Sequence, residues 1–201
     1  MATSSSPADP SAADPSQREI EVAVLGSARL GPEDPRHGDA VRLGGLLAAQ
    51  GWTVVTGGYG GLMGAVAAGA TAAGGRTVGL PMAGWPHLTP DPNHAELRWC
   101  DDYAQRLAHL LATQVAVALP GGIGTLAEAA GVWAAAQTEP GTPRLVLVGK
   151  GWGRLLTTFA SELVVDEKDL GVPVHVDEVD TVVAAVERLI AQPTTILGAR
   201  G

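Results

Sequence analysis

The chain has 201 residues and a formal net charge of −8 with histidine counted as neutral, which fits one domain with a substantial core. Nucleic-acid-binding proteins usually carry a basic face, and the sequence has no Lys/Arg cluster, so a nucleic-acid partner is not expected. Cys100 is the only cysteine, which rules out an internal disulfide and a cysteine-rich metal site. The five histidines show no metal-ligand spacing, so no metal is expected.

The two ends of the chain differ in composition from its middle. Residues 1–18 are rich in Ser, Pro, Ala and Asp and are predicted to form a disordered tail. They lack the basic start and the apolar stretch of a secretory signal, and no apolar segment of the chain is long enough to span a bilayer. The sequence therefore predicts a cytoplasmic protein without a membrane partner. Its globular domain is expected at residues 19–192, with a C-terminal tail at 193–201.

Strand and helix signals alternate from residue 20 onward. The segments that read as strands are short and apolar: Ile20–Leu25, Trp52–Thr56, Arg76–Leu80, the neighbourhood of Leu97, Val115–Leu119, Arg144–Val148 and Val172–Val176. Helical patterns are found at residues 37–50, 61–73, 101–111, 125–137, 152–163 and 179–190. Residues 82–95 are rich in Pro, Gly, Asn and Asp and are predicted to form a loop. This alternation predicts an α/β fold: a single domain with a parallel sheet of about seven strands and helices on both faces.

Three turns that contain glycine follow predicted strands, and ligands of such sheets bind at the carboxyl ends of the strands. Glycine lets the backbone approach a ligand closely, and a helix N-terminus offers free N–H groups and a positive dipole end. The turns therefore predict a site for a phosphorylated small molecule. The candidate binding residues are Gly26, Ser27, Gly57, Gly58, Gly60, Gly61, Met63, Gly121, Gly122, Gly124 and Thr125.

The turn at residues 56–64 has an alternative interpretation. It is not a P-loop, because no Gly-Lys-Ser/Thr follows. It also fits the dinucleotide fingerprint poorly, because Gly58, Gly60 and Gly64 are spaced one residue too widely and no acidic residue follows about 20 positions on. The alternative is a tight turn that allows close helix-to-sheet packing.

The turn at residues 120–128 also has two interpretations, which differ in the role of Glu128. Thr125-Leu126-Ala127-Glu128 matches a capping box, in which the Glu side chain reaches back to the Thr N–H. Alternatively, Glu128 is a catalytic carboxylate beside a phosphate site. The spacing of the residues does not separate these two roles.

Taken together, the segments 25–28, 57–64 and 120–128 resemble the LOG ("Lonely guy") family of cytokinin riboside 5'-monophosphate phosphoribohydrolases. The similarity runs from about Val22 to about Gln192, and the last segment keeps every fixed position of the family's PGGxGTxxE motif. The family has an Arg-Lys pair on the preceding helix. Arg106 matches its Arg, and Leu107 stands where the Lys would be. The family Trp of the motif helix is displaced, with Ala135 at its place and Gln137 retained.

The resemblance implies a Rossmann-like fold, a homodimer and a nucleotide-binding domain. It also implies hydrolysis of the N-glycosidic bond of a nucleoside 5'-monophosphate, with Glu128 and Arg106 as catalytic residues and without a cofactor. The alternative is a non-catalytic binder. Molybdenum cofactor carrier proteins are similar in fold and in their glycine-rich turns, and they bind a phosphorylated pterin. The absence of the family Lys keeps this alternative open.

Overall fold

The computed structural model describes residues 19–138 and 144–191, so the tails predicted at 1–18 and 193–201 lie outside the described residues. The described strands are β1 (Glu21–Leu25), β2 (Thr53–Thr56), β3 (Thr77–Gly79), β4 (Glu96–Leu97), β5 (Val115–Ala118), β6 (Arg144–Val148) and β7 (Val174–Val176). The described α-helices are α1 (Pro35–Ala49), α2 (Leu62–Ala72), α3 (Tyr103–Leu111), α4 (Ile123–Thr138), α5 (Lys150–Glu162), α6 (Glu167–Leu170) and α7 (Val182–Ala191).

The described strands form one parallel sheet in the order β4-β3-β2-β1-β5-β6-β7. The predicted fold class, a Rossmann-like α/β domain with about seven parallel strands and helices on both faces, is confirmed. The single-turn helix α6 was not predicted, because four residues are too few to show a helical period. Over the described residues, no helix combines the length and apolar character needed to cross a membrane.

Each face of the sheet carries its own apolar core, because successive side chains of a strand point to opposite faces. On one face, Val22 and Val24 pack with residues of α1, α2 and α7. On the other face, Ala23 and Leu25 pack with residues of α3, α4 and α5. Every residue of β2 and β5 is buried, as expected for parallel strands covered on both sides. The carboxyl ends of these strands are therefore held on a rigid scaffold.

The helices α1 and α2 approach each other closely because glycine removes side chains from their contact. A Cβ atom on Gly44 would lie 2.0 Å from the carbonyl oxygen of Val66, and one on Gly69 would lie 1.8 Å from the carbonyl oxygen of Val41. Neither distance is sterically possible. The adjacent Gly45 has ordinary space, since its nearest atom would be 3.7 Å away. Because α2 begins directly after the first glycine turn, this contact also positions that turn.

We expect Gly44→Ala to destabilise the fold and Gly45→Ala, its neighbour on α1, to be neutral or slightly stabilising. The added methyl at residue 44 forces two backbones apart, which costs roughly 1–3 kcal/mol. At residue 45 the intrinsic helix preference for Ala over Gly contributes roughly 0.5–1 kcal/mol in the opposite direction. Urea denaturation of both variants measures the free energies of unfolding. Equal stabilities would contradict the close helix contact.

Candidate functional site

The candidate site lies where the strand order reverses, between β1 and β5. Such a reversal opens a crevice at the carboxyl ends of the strands. The Leu119 N–H donates to the Leu25 carbonyl at 2.8 Å, and the Ser27 N–H donates to the Pro120 carbonyl at 3.2 Å. The Leu62 N–H donates to the Ser27 carbonyl at 2.8 Å. The three glycine-containing turns predicted from the sequence are therefore linked by main-chain hydrogen bonds.

The first glycine turn is built by backbone conformation and close packing. Gly58 and Gly61 have φ values of 84° and 66°, a left-handed region that favours glycine. A Cβ on Gly61 would also lie 2.4 Å from the Ser27 carbonyl oxygen. A Cβ on Gly57 would lie 2.2 Å from Nη2 of Arg106 and 2.6 Å from Sδ of Met63. The glycines of this turn therefore allow close packing, which is the alternative interpretation given above for this segment.

The second glycine turn leads into α4 two residues earlier than predicted. The helix begins at Ile123 rather than Thr125, and the Leu126 N–H donates to the Gly122 carbonyl at 3.0 Å. Thr125 is therefore inside the first turn of the helix and not at its cap. Its side chain packs on Gly121, where a Cβ would lie 2.1 Å from Oγ1. This geometry does not match a capping box, which needs Thr125 at the N-cap.

The carboxylate of Glu128 instead forms an ion pair with Arg106. Nε of Arg106 donates to Oε1 of Glu128 at 2.9 Å. The two residues are only 4% and 6% exposed. Nη1 of Arg106 also donates to the carbonyl oxygens of Gly57, at 2.8 Å, and Leu80. Arg106 thus connects α4 to the turns that follow β2 and β3.

These contacts hold Glu128 in one orientation. A guanidinium presents its N–H donors in a fixed planar fork, and three bonds to two strand ends and one carboxylate fix that plane. The arrangement is therefore able to present an oriented anionic group at the site.

Glu128 and Arg106 line a cleft of about 330 Å³. Other residues predicted for the site also line this cleft: Gly26, Ser27, Met63, Gly122, Gly124 and Thr125. The remaining predicted residues are not part of the lining. Gly57 lies behind Arg106, Gly58 and Gly61 shape the first turn, Gly121 lies beneath Thr125, and a Cβ on Gly60 would have no atom within 4 Å.

The structure adds lining residues that the sequence analysis did not select: Ala28, Arg29, Tyr59, Trp85, Leu88, Tyr103 and Ile123. Tyr103 precedes Arg106 by three positions on α3, and this helical spacing could have indicated it. Trp85 and Leu88 belong to the predicted loop at 82–95, whose path no periodicity determines. Burial, together with the negative charge of Glu128, raises the pKa of the Tyr103 phenol.

Leu107, which stands where the LOG family has Lys, packs against α4. A Cβ on Gly131 would lie 3.1 Å from Cδ1 of Leu107, and Leu107 is not among the residues that line the cleft. Trp133 and Gln137 lie elsewhere, in an apolar groove between α4 and α5. The Trp133 indole N–H donates to the Asp169 carbonyl at 2.8 Å.

Within residues 19–138 and 144–191, no group of three or more His, Cys, Asp or Glu side chains could hold a metal ion.

The comparisons with known proteins agree with this fold. The model of the SLOG cluster4 family matches residues 19–139, and the chain belongs to this family. The relationship to LOG proteins inferred from the motifs is thereby confirmed at the level of this LOG-like superfamily. A search of curated proteins gives no significant match.

Two solved structures illustrate the similarity. The molybdenum cofactor carrier protein from Chlamydomonas reinhardtii is 27% identical and has a TM-score of 0.70, over 87% of this chain and 100% of that chain. The molybdenum cofactor binding protein from the phototrophic bacterium Rippkaea orientalis is 20% identical and has a TM-score of 0.69, over 87% of this chain and 99% of that chain. At this lower identity the second likeness concerns the fold alone.

We expect Arg106→Ala to lower the free energy of unfolding by roughly 3–5 kcal/mol, because it leaves the buried Glu128 carboxylate without its counter-charge. Arg154→Ala, on the exposed surface of α5, is the matched control and should change stability by less than about 0.5 kcal/mol. Urea denaturation at neutral pH measures both. A loss at Arg106 no larger than the loss at Arg154 would show that the pair does not bear on folding.

Proposed function

We propose that this protein hydrolyses the N-glycosidic bond of a nucleoside 5'-monophosphate, such as AMP or a cytokinin riboside monophosphate. The products are the free base and ribose 5-phosphate. The proposal depends mainly on the buried Arg106–Glu128 pair, which lies in the wall of a cleft at the N-terminal end of α4. The proposed nucleotide-binding domain spans residues 19–192. A cytoplasmic location is part of the proposal.

The phosphate is assigned to the N-terminal turn of α4. This helix has 16 residues, and the N-terminus of a helix attracts anions through its free N–H groups and its dipole. Added Cβ atoms on Gly122 and Gly124 would meet no atom within 4 Å, so the backbone there is open to a ligand. Thr125 and Ser27 line the same cleft and offer hydroxyl groups to the phosphate oxygens.

The glycosidic bond is assigned to Glu128. Cleavage of that bond builds positive charge on the ribose, as in other glycoside hydrolyses. An oriented carboxylate is able to stabilise this charge or to take a proton from the attacking water. Arg106 then acts mainly through Glu128, because Nε and Nη1 are already bound to the carboxylate and to two carbonyl groups. We therefore assign Arg106 as a positioning residue rather than the main phosphate ligand. No cofactor takes part in this proposed reaction.

A second candidate function is non-catalytic binding of a phosphorylated small molecule. Two observations favour it. The molybdenum cofactor carrier protein from Chlamydomonas reinhardtii matches over its whole length, and Leu107 replaces the Lys of the LOG family with a residue that packs on α4. In this alternative, the cleft holds a phosphorylated pterin and Glu128 carries out no bond cleavage.

We also propose that the protein is a homodimer. The groove between α4 and α5 is apolar and is lined by Leu126, Ala130, Trp133, Leu155 and Val164, among others. Val164 is fully exposed. Apolar side chains in this number at one surface are typical of interaction sites, and a second copy across a twofold axis would cover them.

Glu128→Gln should abolish most turnover if the carboxylate acts on the ribose. We expect kcat for AMP hydrolysis, measured as adenine release, to fall by roughly a hundredfold or more, because an amide provides neither negative charge nor a base. AMP binding should persist, because the phosphate site on α4 is unchanged. Glu187→Gln, on the exposed face of α7, is the matched control and should retain full activity.

The result separates the two candidate functions. Wild-type turnover in Glu128→Gln would contradict the mechanism. A wild-type protein that releases no base from any of a panel of nucleoside monophosphates, but copurifies with a fluorescent pterin, would support the carrier function. A panel that varies the base at constant ribose 5-phosphate would also identify the preferred substrate.

Leu126→Glu should convert the proposed dimer into a monomer at micromolar concentration, because it places a charge in the apolar groove beside α5. Val41→Glu is the control, since Val41 is similarly exposed but lies on α1, outside the groove. Light scattering gives both masses. A wild-type monomer, or a dimer that survives Leu126→Glu unchanged, would count against this interface.

A further inference from the structure

The cleft has an aromatic wall that the proposed reaction does not yet use. Trp85, in the loop between β3 and β4, lines the cleft and stacks on Tyr59 with 6.0 Å between ring centroids and 29° between ring planes. Tyr59 is only 6% exposed, and its hydroxyl oxygen accepts a hydrogen bond from the Met82 N–H at 2.8 Å. The Trp85 indole therefore rests on a fixed support.

Main-chain hydrogen bonds connect the loop that carries Trp85 to the rest of the fold, both before and after this residue. The Ala83 N–H donates to the Cys100 carbonyl at 2.8 Å, and the Asp91 N–H donates to the Gly58 carbonyl at 2.9 Å. The main-chain carbonyl of Trp85 also accepts a hydrogen bond from the Leu88 N–H at 3.0 Å. A side chain on such a loop loses little conformational freedom when a ligand packs against it, which favours binding.

The chemistry of this wall fits a planar ring. Tyr103 and Leu88 line the same cleft and are 39% and 41% exposed, so apolar and aromatic surface is available beside Trp85. Nucleobases stack on aromatic side chains largely without regard to sequence, because every base has a π-face. A phosphate group gains little from such a surface, and a ribose has no flat π-face to stack on it.

We propose that Trp85, supported by Tyr59, binds the aromatic ring of the phosphorylated ligand and makes the site prefer a ligand that carries such a ring over ribose 5-phosphate alone. This inference rests on the ligand class of the proposed function, and it assigns the part of the ligand that the glycine turns and Glu128 leave unassigned. It also gives the first glycine turn a role in recognition, since that turn supplies Tyr59.

The test compares AMP with ribose 5-phosphate in calorimetric titrations of the full chain, with Glu128→Gln present in every protein, including the one called wild type here, so that AMP binds without being hydrolysed. The wild type should bind AMP more tightly, and Trp85→Ala should weaken AMP roughly tenfold or more, the scale of one lost base–aromatic stack. Binding of ribose 5-phosphate should stay within about twofold of wild type. Trp85→Phe, which keeps a ring, should recover most of the affinity for AMP. Trp99→Ala is the matched control, because Trp99 is 52% exposed and lies outside the cleft lining.

The outcomes distinguish this inference from the proposed reaction. If the protein binds AMP in a Trp85-dependent manner but does not hydrolyse it, the role of Trp85 is supported and the proposed hydrolase function is contradicted. If the wild type binds AMP no more tightly than ribose 5-phosphate, the proposed role of Trp85 in binding the ring is wrong, whether or not AMP is hydrolysed. Equal losses for AMP and ribose 5-phosphate in Trp85→Ala would also overturn it, since they would indicate a structural role for the side chain.

Discussion

The candidate site depends on the burial of one ion pair, between Arg106 and Glu128. Taking two charges out of water costs several kcal/mol per ion unless hydrogen bonds and good geometry compensate. Here the compensation comes from the carboxylate and from the carbonyl groups of Gly57 and Leu80. The guanidinium lies so close to Gly57 that a Cβ there would be 2.2 Å from Nη2. Gly57, the residue after β2, therefore has to be glycine because the Arg106 side chain of α3 occupies the space of a Cβ. The same guanidinium links the turns that follow β2 and β3.

The two glycine turns resemble each other in sequence, but Gly58 and Gly61 of the first turn are glycines for a different reason than Gly122 and Gly124 of the second. In the first turn, Gly58 and Gly61 have positive φ values, and close packing forbids a side chain on Gly61. In the second turn, Gly122 and Gly124 have neither a positive φ nor a neighbouring atom within 4 Å of an added Cβ. Internal packing therefore does not explain these two glycines. The approach of a ligand to the N-terminal turn of α4 is the explanation that we propose for them.

The sequence was sufficient to predict the sheet, because buried parallel strands are short apolar runs whose limits do not depend on distant contacts. It was not sufficient to predict the start of α4. Thr125 and Glu128 match a capping box, and only the buried Arg106, 22 residues away in the chain, shows where the carboxylate is held. The loop at 82–95 was predicted as a loop, but its tertiary contacts decide that Trp85 enters the cleft. Tyr103 is different, since its position three residues before Arg106 on α3 is visible in the sequence and is sufficient to predict that it faces the site.

Binding and turnover make different demands on this site, and different elements meet them. In our proposals the helix end at α4 and the aromatic side chains of Trp85 and Tyr103 hold a phosphorylated ring, and a carrier would need no more than that. The Glu128 carboxylate, held by Arg106, is a further feature. A buried ion pair is weak as a stabilising device, because well-packed apolar side chains in its place are often equally stable or more so. Its presence in a cleft wall is better explained by a need for an oriented negative charge beside the ligand. That need arises when positive charge develops on a ribose, and for this reason we favour the hydrolase over the carrier although a carrier protein is among the similar structures.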